Sequence, residues 1–149
     1  MIDDRRLMIG KTISDDSAIV NGSSRENREA LKKRTRQFAV RIMRLVDQLP
    51  KRTSSRAVSS QIVRCAASVG ANYHIACRAR SKAEFIAKLG IVLEECDECL
   101  FCLQLIIDAG LMPARRTQSL LQEADELTAI FTASAKTARF GKDLKNQQT

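Results

Sequence analysis

From Phe85 onward, Leu89, Val92, Cys96, Cys99, Leu103 and Ile106 recur at alternating steps of four and three. That rhythm places them along one side of an α-helix. A second set, Ile86, Leu93, Leu100 and Ile107, follows at strict sevens. Two stripes bury more than a single neighbour can cover, so this helix is either central or also faces another subunit. Ser81-Lys-Ala-Glu84 reads as a capping box that starts it. Gly110 is a natural C-cap, with Pro113 shortly after.

Three further amphipathic segments supply the neighbours. Between Arg25 and Leu49, the residues Leu31, Thr35, Phe38, Ile42, Leu45 and Leu49 keep a coiled-coil-like spacing that Pro50 ends. A helix over Ser54–Ala79 carries Val58, Ile62, Cys65, Val69 and Ala76, and its centre is crowded with small residues. Gly70 there costs about 1 kcal/mol of helix propensity relative to Ala, which close approach of a neighbouring backbone would compensate. The last helix, Thr117–Phe140, turns Leu120, Ala124, Leu127, Phe131, Ala135 and Ala138 inward before Gly141 stops it. With two prolines, six glycines and no Trp in 149 residues, the chain has few breakers. The expectation is an all-α, up-down-up-down antiparallel four-helix bundle over residues 24–141. Residues 1–23 read as a flexible N-terminal arm and 142–149 as a polar C-terminal tail. There is no apolar run of about 18 residues and no stretch resembling a secretory signal, so a soluble cytoplasmic protein without membrane contact is expected.

Charge is segregated along the chain, whose net is +8. Residues 25–56 carry eleven Lys and Arg against Glu26, Glu29 and Asp47, and residues 57–92 carry five against Glu84. Residues 93–112 reverse the sign through Glu94, Glu95, Asp97, Glu98 and Asp108. Such asymmetry suggests a cationic face for nucleic acid or another polyanion, the alternative being a merely solvated basic face.

Little points to chemistry. Cys96-x2-Cys99-x2-Cys102 has the spacing of iron–sulfur loops, but mid-helix each thiol is rotated by about 60° from the last. The sulfurs would fan over the core, so the five cysteines (65, 77, 96, 99, 102) read as reduced, small core hydrophobes. A di-metal bundle centre needs two Glu-x-x-His pairs, whereas this chain offers Glu95-x-x-Glu98 and one histidine, His74. No metal, no cofactor and no catalytic residue is expected, and no enzyme.

One polar row stands out. Gln61, Arg64, Ser68 and Asn72 share a face of the second helix. In an antiparallel hairpin turning near residues 79–82, Arg64 meets Glu98, and Ser68 or Asn72 meets Glu95. The row is either a structural network fixing helix register or a polar pocket. Were it buried, losing Arg64 alone would strand Glu98 and be costly.

These residues resemble a known family. The pattern Ser-x-Gln-Ile-x-Arg-x-Ala-x-Ser-Val-x-x-Asn over Ser59–Asn72, a Ser-x-x-x-Phe start at Ser81–Phe85, and Glu95-x-x-Glu98 are similar to the bacterial four-helix bundle proteins encoded in intervening sequences of large-subunit ribosomal RNA genes. The similarity covers about residues 28–140. It implies a homo-oligomer, a pentamer, of unresolved function. A related branch comprises accessory proteins of diversity-generating retroelements, which bind nucleic acid and a reverse transcriptase through basic surfaces. The chain departs from the pattern at Ile75, where an acidic residue is usual, and at Cys99 and Cys102, which replace a Thr and an aromatic.

The expected function is therefore non-enzymatic binding of RNA or DNA by a homo-oligomer. Contact would be with phosphates, since one Tyr and five mostly core Phe leave little for base stacking. The candidate contacts are Lys32, Lys33, Arg36 and Arg44 on the first helix, Lys51 and Arg52 after it, and Arg78, Arg80 and Lys82 at the next turn. The alternative is an accessory subunit whose basic face docks an acidic protein such as a reverse transcriptase.

Overall fold

The computed structural model describes residues 25–141; the expected arm and tail lie outside them. Four helices follow in order: α1 (Arg25–Val46), α2 (Thr53–Ala76), α3 (Lys82–Asp108) and α4 (Ala114–Phe140). Each packs antiparallel on the next, and α4 returns to α1, closing a four-helix bundle with α1 and α3 on one diagonal. Among the described residues, no helix is long and apolar enough to cross a membrane.

The helix ends follow local chemistry. At α1, the residue before Pro50 is pushed out of helical conformation, so the helix stops at Val46 rather than Leu49. Leu49 nevertheless stays buried, because a tight turn donates Gln48 N–H to Leu45 O and Leu49 N–H to Val46 O. Ser81 caps α3 by accepting from the Glu84 N–H at 3.1 Å, while Glu84 accepts from the Arg80 N–H. At its far end Gly110 takes φ +68, Gly110 N–H reaches Ile107 O and Leu111 N–H reaches Ile106 O. This is a Schellman closure with Leu111 buried beneath it. Pro113 caps α4, which begins at Ala114, one turn earlier than periodicity predicts. Its fixed φ suits a helix entrance, and the buried Thr117 hydroxyl then donates back to Ala114 O.

The core is the stripe set expected from spacing. Phe38, Ile42, Ile62, Val69, Leu89 and Leu103 are fully buried with Leu127 and Phe131, and Cys65, Cys96 and Cys99 fill the gaps between them. Tyr73 tilts against Phe131 with ring centroids 5.2 Å apart. The main stripe of α3 is buried, whereas Ile86, Leu93, Leu100 and Ile107 are half-buried at the seams with its neighbours.

Gly70 marks the close approach of α2 to α1. A Cβ there would lie 3.4 Å from Thr35 Oγ1 and 3.7 Å from the Thr35 carbonyl carbon. These are ordinary contacts, so a methyl group just fits and anything larger drives into α1. Gly70→Ala is therefore expected to stabilise the bundle by up to about 1 kcal/mol. Gly70→Leu should destabilise it by about 1–3 kcal/mol, both read by urea denaturation followed at 222 nm.

Candidate nucleic-acid interface

The α2 polar row splits in two. Arg64 Nη2 lies 2.8 Å from Glu98 Oε2 and Arg64 Nη1 lies 3.5 Å from Glu95 Oε1. Gln61 Nε2 donates to Glu98 Oε1 at 2.9 Å. Ser68 and Asn72 do not reach Glu95: the Asn72 amide donates to Ser68 O within α2. The pairing expected of them falls to Arg64, whose long side chain spans both carboxylates. Nor are Arg64 and Glu98 buried, with side chains 51% and 43% exposed, whereas Glu95 is 17% exposed and its Oε2 is buried without a hydrogen-bond partner among the described residues. The row lies at the edge of the α2–α3 seam, and an exposed pair contributes little to stability.

Cys65 joins this cluster, which spacing among the α3 cysteines did not reveal. Its buried Sγ donates to Glu98 Oε2 at 3.0 Å and accepts from Arg64 Nη2 at 3.2 Å. Cys65 Sγ and one oxygen each of Glu95 and Glu98 lie within 4.8 Å of one another, a donor set that could hold a thiophilic cation. In the folded chain the positive charge among them is the Arg64 guanidinium. Burial, then the hydrogen bond to Glu98, pushes the Cys65 thiol up to about 12. The same bond, with Arg64, holds the Glu98 carboxyl below the usual carboxylate range. Burial also raises Cys96 to about 12 and raises Cys99 and Cys102.

The nine candidate cations do not form one surface. Lys33, Arg36 and Arg44 share the outer face of α1, while Lys32 is half-buried and paired with Glu29 at 2.9 Å. Lys51 and Arg52 sit in the α1–α2 turn. Arg78 and Arg80 sit in the α2–α3 turn and Lys82 opens α3, the length of α2 away, roughly 36 Å at 1.5 Å per residue. That second end is partly self-neutralised: Glu26 and Glu84 occupy the first turns of α1 and α3, and Lys82 Nζ approaches Arg139 O.

The end bearing Lys51 and Arg52 is different. Antiparallel closure brings the start of α4 beside it, with the Arg116 guanidinium donating to the Gln48 side-chain carbonyl and Arg41 Nη2 to Ser119 Oγ at 3.0 Å. Exposed Arg56, Arg115 and Arg116 thereby join Arg44, Lys51 and Arg52, against Asp47 and Asp108. The N-termini of α2 and α4 both open here, neither has a side-chain cap, and neither carries an acid in its first turn. Cations gathered at uncapped helix N-termini make a strongly anion-attracting end. Arg56, Arg115 and Arg116 were discoverable from the sequence only by combining their charge with the up-down topology. Arg34, by contrast, is consumed in structure, bridging α1 to Glu123 at 2.6 Å and Glu126 at 2.7 Å on α4.

Two measurements follow from the seam. At pH 8 the buried thiols at 65, 96, 99 and 102 stay protonated, so Ellman's reagent should titrate no more than the half-buried Cys77 in the folded protein and all five thiols after denaturation. Glu98, its carboxyl lowered in the folded state, adds stability present above the ordinary carboxylate range and lost as pH falls through its folded pKa. Glu98→Gln should therefore lower the melting temperature slightly at pH 7 and match the wild type once Glu98 is protonated well below about pH 4, so that the acid limb of the profile is flatter.

The family described as 23S rRNA-intervening sequence protein matches residues 20–133. Among solved structures, a protein of unknown function from the S23 ribosomal protein family of Bacteroides thetaiotaomicron is 32% identical, with a TM-score of 0.69 over 74% of this chain and 98% of that one. No curated protein matches the chain. The four-helix bundle agrees with that match, and the chain belongs to the 23S rRNA-intervening sequence protein family.

Proposed function

We propose that this protein is a non-enzymatic homo-oligomer that binds nucleic acid, RNA or DNA, through phosphate contacts. The observation that carries the reading is the end where Lys51, Arg52, Arg56, Arg115 and Arg116 surround the uncapped starts of α2 and α4. A flexible, repeating polyanion suits such an end, because each phosphate neutralised releases counterions. Tyr73 lies in the core, but the Phe residues are not mostly core as expected: only Phe38 and Phe131 are buried, while Phe101 and Phe140 are exposed, so the preference for backbone contact rests on the clustered cations instead. Oligomerisation would multiply modest contacts by avidity.

The reading is tested by fluorescence anisotropy with labelled single-stranded and hairpin RNA, and with DNA of the same sequence. Engagement of about four phosphates should lower affinity about a hundredfold between 50 and 200 mM salt. Arg52→Glu combined with Arg116→Glu should weaken binding and flatten that slope, whereas Arg78→Glu should do less. Binding that ignores salt, or none at 50 mM, overturns the reading. Recovery of one stoichiometric acidic protein after nuclease treatment, with no RNA affinity, favours the accessory-subunit alternative instead.

A further inference from the structure

Two large exposed apolar spots lie in the C-terminal parts of α1 and α3, and they are rimmed by opposite charge. On α1, Val40 and Met43 (51% exposed) lie between Lys33, Arg36 and Arg44. On α3, Phe101 (64% exposed) and Leu105 lie between Glu94, Asp97 and Asp108. Among the described residues none of these six charges is in an ion pair. Exposed Phe and Met at the centre of a charged rim are the composition of a docking face rather than of a solvated one.

The two faces match in register. Both read charge, charge, apolar at i, i+3 and i+7, so Lys33, Arg36 and Val40 correspond to Glu94, Asp97 and Phe101. Each face runs about 16 Å from its first charge to its last apolar or basic residue, Lys33 to Arg44 and Glu94 to Leu105. In an up-down-up-down bundle α1 and α3 point the same way, and as a diagonal pair their outer faces look in opposite directions. A two-fold dimer through either face would set like charge against like. A head-to-tail arrangement sets cation against carboxylate and Val40 against Phe101, with both helices parallel.

The geometry points to a heterologous interface in which the acidic–apolar face of α3 docks on the basic–apolar face of α1 of a second copy of this chain. It rests on the homo-oligomeric part of the reading above and assigns Lys33, Arg36 and Arg44 to protein contact rather than to phosphate. The nucleic acid is then left with the end around Arg52 and Arg116.

Charge reversal tests it by sedimentation and light scattering, with circular dichroism to verify that the helices are retained. The wild-type chain should have a mass several times its 16.6 kDa. Arg36→Asp, Asp97→Arg and Phe101→Glu should each raise the concentration for half-dissociation by at least about tenfold. The double variant Arg36→Asp/Asp97→Arg should restore assembly, and Arg52→Glu should leave it unchanged. An oligomer indifferent to Arg36→Asp, or a double variant no better than the singles, overturns the interface while leaving oligomerisation intact. A monomeric wild type at 100 μM overturns both. Restored assembly without any RNA affinity would leave the interface standing and remove only the nucleic-acid reading.

Discussion

Everything in this molecule is organised by the burial of α3. Its main stripe from Leu89 to Ile106 is sealed on the bundle axis, and its second stripe closes the seams. A helix of 27 residues that loses so much apolar surface to water needs partners of matching length on both flanks. That requirement explains why α2 and α4 run its full extent, and why small residues, Gly70 and Ala66 among them, let α2 lie close to its neighbours. Once three helices are fixed, α1 closes the square with little freedom. The Arg34 bridge to Glu123 and Glu126 is the polar complement of that closure.

The same burial sorts the charges. Residues excluded from the core must share the remaining surface, and here the signs separate by helix instead of mixing. The outer face of α3 is acidic, that of α1 is basic, and the α2 and α4 starts are basic at one end. Mixed surfaces gain small i,i+4 pairings and repel partners weakly, whereas segregated ones sustain a field beyond the molecule. The Arg64–Glu98–Cys65 group is the exception, since it partly neutralises itself at a seam. Arg64 holds the two carboxylates while burial, with the bond to Glu98, keeps the thiol protonated. It links helices and offsets one of its two carboxylate charges locally, which suits a positioning role better than a reactive one.

Fold and helix register were readable because periodicity, capping boxes and breakers are local. Ser81, Gly110 and Pro113 each act within a few residues of themselves, and the 64-to-98 pairing follows from the hairpin turn alone. What misled was depth. Whether Arg64 is covered depends on helix rotation and on how far neighbouring side chains overhang the seam, and neither is encoded in spacing. Ser68 and Asn72 are short, so a bond to their own backbone outcompetes a reach across the groove. The cationic end was half legible: Lys51 and Arg52 announce themselves in a turn, but Arg115 and Arg116 acquire their meaning only when α4 folds back beside it.

The parallel register of α1 and α3 has one more consequence. If successive copies join through these faces, every bundle in the assembly points the same way, because rotation about an axis along the helices preserves their direction. The open starts of α2 and α4, with Arg52, Arg56, Arg115 and Arg116, then lie on one side of the assembly in every copy. A single chain offers a handful of cations, too few for tight binding at moderate salt. Copies joined in this way would present the same handful repeated along one side, within reach of one strand, where avidity rather than any single contact would set the affinity. In the proposed assembly, self-association and polyanion binding would use different surfaces, and the first would make the second strong.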